Sequence, residues 1–551
     1  MQMAQMKTAN NNQGMDMLNS NISMYPYMEL LDSDGNYGTI PYQYRKAFLD
    51  TLYTDHLLDW SFRPLQEIDA ADNTSRNTEV LVTSDISYRL WQGVKVSARY
   101  QYGRQENKQQ SIYDQKTFYA RDLINRFSQI ENGEVTYIIP NAGIRDGRNT
   151  LSENHSLRFQ LDVDQRIGDF AQLRMILGNE SRAIKSDGES FRTYGYEREF
   201  NNLPALDYIS TFPIIAGLSG ASRIPFSDAL YGTRTRFLSF YLNTDLTFID
   251  RYSVSFSARR DASNLFGVRT SQRWNPLWSV GGAWSIHRED WDFLDRFQSL
   301  RLRMTYGRSG NINPDLTGRA VIAYNSIRST LNRLQYARVR NPPDENLRWE
   351  TVSTANIGLD IGFKNSPLSI SLEGYIKESS DLFALVSSDP TIGFSSLTKN
   401  SAKMQNKGLE ITINGDYRIA DVFMRSSINH TFNSSKIRSY YYVRSRDSDV
   451  LGGTTSLIPV ENFPAYSVFA YRWAGLNAEN GSPQGFLNGE LSTDYSAIRQ
   501  QSELDELKYM GTAVPRSFGG FTQDLRWKSF DVSLLLTWRL GHVLRRPVMN
   551  Y

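Results

Sequence analysis

The sequence predicts an all-β fold, a transmembrane antiparallel β-barrel whose strands have one apolar and one polar face. Three observations predict it. Apolar and polar residues alternate in many runs, short turns and long loops join these runs in turn, and aromatic residues make up 13% of the 551 residues. Counting the runs gives about 14 strands.

The alternation separates two faces within each run. In residues 94–102, Val94, Val96 and Ala98 fall on one face, whereas Lys95 and Ser97 fall on the other. Successive side chains of a strand point to opposite faces, so such a run has one apolar and one polar side. Six runs are clear: 94–102, 240–248, 252–259, 300–306, 368–377 and 530–539.

A soluble antiparallel sheet with one solvated face is the alternative, and it predicts a soluble all-β carbohydrate-binding protein. Its apolar strand faces would meet in one core, and the purified chain would need no detergent. Polar or charged second faces in all six runs, with aromatic residues near the strand ends, favour the membrane barrel.

The connections are of two kinds. Residues 249–251, 364–367 and 418–421 form tight turns, whereas the long loops are 106–150, 187–235, 311–346 and 436–513. Short periplasmic turns and long extracellular loops are typical of outer-membrane barrels. We therefore predict an extracellular loop or linker region over residues 1–78 and a barrel over 79–551, with one helix at 113–127 inside a long loop.

Composition excludes several function classes. The formal charge is 61 − 59 = +2, which gives no steering towards nucleic acid, and the absence of cysteine excludes disulfides and thiolate metal sites. His56, His155, His287, His430 and His542 stand apart from other metal ligands, and no nucleophile elbow, Walker loop or dinucleotide fingerprint occurs. The sequence predicts no enzyme activity.

One segment has the spacing of a weak calcium site. Asp32, Asp34 and Asn36 place oxygen ligands at every second position. Tyr37 stands where an EF-hand loop has glycine, and no acidic residue closes the loop, so a plain Asp/Gly/Asn turn is the alternative. We expect no other cofactor.

Two groups of residues are candidates for contact with an imported ligand. Aromatic faces stack on sugars and anchor partner proteins, although they also pack loops together. The loop candidates are Tyr440, Tyr441, Tyr442, Arg444 and Tyr466. The candidates for the barrel lumen are Arg99, Arg259, Arg301, Arg303, Glu373 and Lys377, although mixed charges also simply solvate a wall.

Seven ordered segments resemble one family, the SusC/RagA-type TonB-linked outer-membrane transporters. Residues 260–267, RDASNLFG, resemble that family's RxDGSSxFG loop, with Ala262 in place of glycine. Residues 300–311, LRLRMTYGRSGN, are similar to its LKLRxSYGxxGN. The other similar segments are 278–289, 346–360 (which begins NLRWE), 404–410 (MQNKGLE), 469–476 and 511–520.

The resemblance implies a 22-stranded barrel filled by an N-terminal plug domain, located in the outer membrane of a Gram-negative cell. It implies active import of a glycan or peptide, energised by the TonB complex. The implied partners are a SusD-like surface lipoprotein that acts as a lid and the lipid around the barrel. In such a transporter the outer loops bind the substrate together with the lipoprotein, and the plug moves to open the polar lumen.

The sequence departs from that family at both ends. It has no signal peptide, TonB box or plug before the first strands, and the family's last strands are missing after Arg546. About 14 strands do not close a 22-stranded ring, and an open edge in lipid costs several kcal/mol per unpaired group. We therefore expect the chain to be a fragment.

A third interpretation is a passive porin or a surface-binding barrel. It predicts a full-length gene in which a signal peptide directly adjoins the barrel. A plug and a TonB box encoded upstream would instead support the importer, and a neighbouring SusD-like gene would narrow the class.

Overall fold

The computed structural model describes residues 2–11, 29–52, 57–131, 133–199, 204–215, 220–265, 274–314, 316–325, 331–332, 334–441, 450–451, 459–500 and 504–546. Within these residues, fifteen strands form a single sheet. Each strand pairs antiparallel with the next sheet strand along the chain, so the order in the sheet is the order in the sequence. This up-and-down arrangement confirms the predicted antiparallel barrel wall.

The sheet strands are numbered in chain order. They are β1 Gln2–Ala9, β2 Ala71–Trp91, β3 Val94–Tyr113, β4 Gly143–Ile167, β5 Ala171–Tyr196, β6 Ala229–Phe248, β7 Tyr252–Ser263, β8 Trp274–Ser285, β9 Phe297–Asn311, β10 Glu350–Phe363, β11 Leu368–Ser387, β12 Ser396–Ile419, β13 Val422–Ser439, β14 Ser517–Trp527 and β15 Phe530–Leu540.

Smaller elements lie between the sheet strands. The helices are α1 Lys46–Leu49, α2 Pro64–Ala70, α3 Phe118–Phe127 and α4 Tyr495–Gln500, with short 3-10 turns at Ile286–Arg288, Asp292–Arg296, Pro390–Ile392 and Leu504–Glu506. Short strand pairs are Gln129–Glu131 with Glu134–Thr136, Phe212–Pro213 with Ala221–Ser222, Val321–Tyr324 with Ala337–Asn341, and Ser467–Tyr471 with Leu507–Thr512; Gly475–Leu476, Pro483–Leu487 and Glu490–Ser492 form a three-stranded unit. None of the described helices has the length and apolar content needed to cross a membrane.

Tight turns join the strands at one end of the sheet, as predicted. β6 and β7 are separated by three residues, of which Ile249 and Asp250 have φ of 46° and 54°. Such left-handed backbone matches the twist of a hairpin. Asn365 between β10 and β11 and Ala420 between β12 and β13 also have positive φ, at 59° and 51°. At the other end most connections are long, although only residues 388–395 join β11 to β12.

Several strands extend further than the alternation predicts. The expected loop 106–150 shrinks to 114–142, because β3 continues to Tyr113 and β4 begins at Gly143. Residues 105–111 carry polar side chains on both faces, yet Asn107 still pairs with Asn77 and Thr150 in the ladder. Above the lipid both faces of a strand contact water, so the alternation disappears while the hydrogen bonds continue.

The assignment of residues 1–78 to loop and linker is wrong for the two ends of that region. Gln2–Ala9 forms β1, which pairs with residues 74–81 of β2. β1 has one methionine on each face among mostly polar residues, and residues 72–79 of β2 are polar throughout, so the alternation that revealed the other strands is missing. The sheet therefore has fifteen described strands against about 14 expected.

The ladder register sorts the side chains into two faces. One row crosses six strands through Gly282, Met304, Ile357, Gly374, Leu409 and Phe432, and the row one residue away crosses them through Gly281, Thr305, Asn356, Tyr375, Gly408 and Asn433. The apolar face stays open, with Ile86 73% and Ile357 49% exposed. Because these side chains do not meet in a core, the soluble all-β alternative is wrong.

The buried apolar cores lie in the long connections. The largest, here called the loop core, buries Ile124, Phe127 and Ile139 fully or almost fully. The other residues that it joins to α3 are Ile144, Tyr194, Ile214 and Ile224. α3 begins at Phe118 rather than at the predicted residue 113, because Tyr113 ends β3 and the Thr117 hydroxyl caps the helix by accepting from the Ala120 amide.

Polar contacts fasten the segment 57–63 to α3. The Asn125 side chain accepts from the Leu58 amide at 3.0 Å and donates to the Leu58 carbonyl at 2.8 Å. The buried Arg121 donates to the Asp59 and Ser61 carbonyls at 2.6 and 3.1 Å. The Asp122 carboxylate accepts from the Trp60 indole at 2.9 Å. These bonds satisfy polar groups that burial would otherwise destabilise.

The faces of the sheet predict unequal costs for two adjacent substitutions. In Ile357→Lys an ammonium would enter lipid, so the free energy of unfolding should fall by about 2–4 kcal/mol. The matched Asn356→Lys places the same charge on the polar face beside Glu373 and should change stability by less than about 1 kcal/mol. Urea titration of the full-length protein in lipid vesicles measures both, and equal losses would contradict the assignment of faces.

The loop core should become more stable as the pH falls towards 5. Burial raises the pKa of the Asp122 carboxyl, although bonds from Trp60 and Arg126 oppose the rise. A raised folded-state pKa means that the folded form binds more protons, so acidification through that range favours it. Asp122→Asn should reduce this gain, measured as hydrogen-exchange protection of 118–127 at pH 7 and pH 5 after correction for intrinsic rates.

Asp59 supplies a control of opposite sign. Burial raises the pKa of Asp59, but hydrogen bonds from Ser61 and Arg63 outweigh burial and leave it below its usual value. Its contribution to stability is therefore lost as the pH falls, and Asp59→Asn should steepen the gain on acidification. If both variants shift the pH profile in the same direction, the electrostatic explanation fails.

Candidate ligand pocket and polar face

The six residues predicted to face the lumen share the polar face of the sheet. The register places Arg303, Gly358 and Glu373 in one row and Arg301, Asp360 and Ser371 in the next. By the same register the polar face holds Arg99, Arg259, Arg301, Arg303, Glu373 and Lys377. Their face is thus fixed, whereas their contact with a substrate stays a prediction.

Two of these arginines are held by carboxylates that sequence reasoning missed. The Arg99 guanidinium lies 2.6 Å from the Asp85 carboxylate on the adjacent strand. Arg259 lies 2.7 Å from Asp261 and also donates to the Ser239 hydroxyl at 2.9 Å. Residues two apart on one strand share a face, so the Arg259–Asp261 spacing carried a signal, whereas the Arg99–Asp85 pair required the register.

Arg303 stands at the centre of a larger polar cluster. Its guanidinium makes two bonds to Asp360, at 2.8 and 3.1 Å, and lies 3.8 Å from Glu373. The Ser371 hydroxyl donates to Asp360 at 2.8 Å, and the Asn356 amide donates to Glu373. The cluster joins three neighbouring strands of the sheet. Its charged groups are therefore already paired with one another in the absence of a ligand.

Arg301 and Lys377 are the two cations of the predicted lumen set that form no ion pair within the described residues. Within the described residues the Arg301 guanidinium makes no hydrogen bond or ion pair. The Lys377 ammonium lies 4.5 Å from the ring centroid of Tyr375, within range of a cation–π interaction. That ring lies over Gly408, where any β-carbon would meet it, so the glycine positions the tyrosine against the wall.

Two of the family-like segments, NLRWE and LRLRMTYGRSGN, meet at the outer end of β9 to β12. In NLRWE, Arg348 lies 2.6 Å from Asp381, and its backbone amide and carbonyl both bond to the Asn400 side chain, at 2.9 and 2.8 Å. Asn311 is the last residue of the LRLRMTYGRSGN segment, and its side-chain amide donates to the Glu350 carboxylate at 3.1 Å. These motif residues anchor long connections to the strands and do not themselves line the ligand pocket.

The connection before β14 has a small core of its own. Phe469 is 1% exposed and packs with Val450 and Val460, and its ring centroid lies 5.3 Å from Phe463 and 5.7 Å from Tyr509. The connection attaches to β13 through the backbone, where the Ile437 amide donates to the Phe463 carbonyl at 2.9 Å. It therefore forms a packed wall beside the end of the sheet.

A pocket of about 550 Å³ lies between this wall and the outer ends of β11 to β13. Tyr440 and Tyr466, two of the predicted loop aromatics, both line it. Phe383 adds a third ring, and the polar-face amides Asn406 and Asn433 form part of its lining. The Asn433 carboxamide oxygen is buried with no hydrogen-bond partner within the described residues. Aromatic rings and amide side chains together suit a ligand with hydroxyl or amide groups.

Backbone contacts set the positions of the two tyrosines. The Tyr440 amide donates to the Glu461 carboxylate at 2.8 Å, and the Tyr466 carbonyl accepts from the Ala513 amide at 2.9 Å. Tyr441 is 61% exposed and does not line the pocket. Tyr442 and Arg444 lie outside the described residues. Of the described lining residues, only Lys403 is charged.

The weak calcium candidate has the geometry of an ordinary turn. The Asp32 carboxylate accepts from the backbone amides of Asp34 and Asn36, at 3.0 and 2.8 Å, and these bonds lower the pKa of the carboxyl. Its oxygens thus already bind the loop itself. Across the described residues no three His, Cys, Asp or Glu side chains gather as metal ligands. His56 lies outside them.

The fold and the polar face define a class, the outer-membrane β-barrels with long outer connections. A family model described as "TonB dependent receptor-like, beta-barrel" matches residues 24–544, and the chain belongs to this family. The family consists of receptors and transporters, which agrees with the expectation of no enzyme activity, and it places the chain in the outer membrane.

Individual relatives confirm the resemblance to the SusC/RagA type. The chain is 26% identical to the TonB-dependent receptor SusC of Bacteroides thetaiotaomicron over 328 residues, 56% of this chain and 31% of that protein. It is 24% identical to the TonB-dependent receptor P3 of Formosa agariphila over 77% of this chain and 42% of that protein. The structure of the RagAB peptide importer in its open-open state superposes with a TM-score of 0.72 at 18% identity.

That superposition covers 95% of this chain and 54% of the importer chain. The chain thus spans about half the length of the structure it matches and less than half of these curated relatives.

The arginine cluster predicts a difference between two neighbouring positions on β9. Arg303→Gln removes both bonds to Asp360 and leaves two carboxylates facing each other, which should lower the free energy of unfolding by about 1 kcal/mol, discounted for the water around these half-exposed groups. Arg301→Gln, on the same face, should change it by less than about 0.5 kcal/mol. Urea unfolding of the full-length variants would contradict the role of the cluster if the two losses were equal.

Proposed function

We propose that the full-length protein imports a nutrient oligosaccharide across the outer membrane, and that the pocket with Tyr440 and Tyr466 is part of its outer binding site. The observation that carries the proposal is this pocket, which combines three aromatic rings with two amide side chains at the outer end of the polar face. Aromatic faces stack on sugar rings, and amides both donate to and accept from hydroxyls.

The charge of the lining favours a neutral ligand. Lys403 is the single charged residue among those described in the lining, so an ion pair contributes little to recognition there. An uncharged oligosaccharide loses less hydration free energy on entering such a pocket than a ligand with several charges does. Peptides are the second substrate class, because the RagAB structures are described as those of a peptide importer and peptide amides bond equally well to Asn406 and Asn433.

Energy and partners follow from family membership in this proposal. TonB, acting through a plug domain of the full-length protein, would drive passage along the polar face. A SusD-like lipoprotein would close over the long connections, where the exposed Tyr441 lies. A passive porin has neither requirement, so uptake that persists without TonB would favour the porin.

The tyrosine that lines the pocket should matter more than an equally exposed neighbour. Tyr466→Ala in the full-length protein should weaken binding of the recognised oligosaccharide about tenfold, because it removes a stacking surface. Tyr471→Ala is the matched control, since Tyr471 is 37% exposed against 39% for Tyr466 and does not line the pocket. Its affinity should change less than about twofold.

Arrays of neutral oligosaccharides and of short peptides, probed with the purified protein, would identify the ligand for this comparison. A ligand found only among the peptides would replace the substrate class and keep the site. Equal effects of the two tyrosine variants would contradict the site itself.

A further inference from the structure

The apolar face of the sheet ends at a group of unpaired cations. Successive rows of this face change from apolar to polar towards the long connections. One row contains Met304, Ile357 and Leu409. The second row above it contains Arg308, Glu378 and Lys436. The upper edge of the lipid-facing band therefore crosses β9 to β13 at this level.

Three cations of β12 and β13 lie on this edge and are here called the outer basic cluster: Lys407, Lys436 and Arg438. Lys407 faces Ile376 across the ladder, and Lys436 faces Gln405. The Arg438 guanidinium donates to Gln405, which places its side chain on the same face. Facing and diagonal positions of a sheet lie about 5–8 Å apart, so the three charges are neighbours.

The outer basic cluster lacks its own counter-charges. Within the described residues none of the three cations forms an ion pair. The nearby carboxylate, Glu378, already accepts from the Gln405 amide at 3.0 Å. Two cations of the same face on β5 and β6 are matched instead: Lys185 and Arg234 both contact Asp187, at 3.2 and 2.8 Å. Three cations against one carboxylate therefore leave a positive site at the membrane surface.

An apolar groove opens directly below the cluster. It has a volume of about 830 Å³, and its lining includes Met304, Tyr306 and Ile357 of the apolar face together with residues of the adjacent row such as Asn356. Gly282 and Gly374 form its floor, and a β-carbon added at Gly282 would meet nothing within 4 Å. Ile376 lines the groove and faces Lys407, so groove and cluster are continuous.

We infer that the groove and the outer basic cluster together bind one phosphorylated lipid of the outer leaflet. Its acyl chain would lie in the groove, and its phosphate would contact Lys407, Lys436 and Arg438. The occupant follows from the environment, since lipid covers this face and the long connections mark the outer side. Clusters of Lys and Arg beside apolar surface are the chemistry that binds anionic lipid headgroups. This site lies on the opposite face from the ligand pocket and is independent of the imported substrate.

The test uses the full-length protein in detergent micelles, titrated with hexa-acylated lipid A and followed by native mass spectrometry. The phosphate-free form of the same lipid is the first comparison. The unmodified protein should bind the phosphorylated form at least about tenfold more tightly. Equal affinity for the two forms would overturn the proposal without any variant being needed.

The variants then locate the site. The triple variant Lys407→Gln, Lys436→Gln and Arg438→Gln should lose at least about tenfold in affinity for phosphorylated lipid A and change little towards the phosphate-free form. Gly282→Leu, which fills the groove, should weaken binding of both forms. The matched control is Lys185→Gln with Arg234→Gln, two cations of the same face that Asp187 already neutralises. Unchanged affinity in the triple variant, or an equal loss in the control, would overturn the proposal.

Discussion

The hydrogen bonding of the backbone in lipid is the constraint on which this structure depends. Lipid offers no partner to an N–H or C=O group, so each strand must be paired by its neighbours along its whole length. Among the fifteen described strands, β2 to β14 achieve this in the simplest order, each pairing with its two neighbours along the chain, whereas β1 and β15 each have one described partner. Because the pairing continues to the end of each hairpin, the connecting turns are short. Such turns require left-handed backbone, as at Ile249 and Asp250.

The same constraint separates the two faces. The apolar rows face lipid and need no protein core. The buried clusters lie in the long connections and the strand ends beside them, where water is available. The polar rows face one another across neighbouring strands, and their charges are mostly matched, as in the cluster around Arg303. The wall is thus polar without a large net field, and in our proposal the outer pocket selects the ligand.

Several residues in and beside the family-like segments stabilise the structure of this chain. Arg348, Glu350 and Asn400 join the long connections to strand ends through hydrogen bonds to backbone and carboxylate groups. Such bonds fix where the connections leave the sheet, and these connections form the pocket. These three residues thus act on the pocket indirectly, whereas Met404 and Asn406 of the MQNKGLE segment line it themselves.

The sequence by itself determined the fold class, the faces of the strands and the tight turns, because a period of two and a hairpin turn are local properties. It did not reveal β1 or the outer extensions of β3 and β4, where water on both sides removes the alternation. Only the tertiary structure decided that Asp85 pairs with Arg99, and that Tyr440 and Tyr466 share a pocket with Asn433 whereas Tyr441 does not. Such contacts depend on register and on the packing of distant connections, which no local pattern encodes.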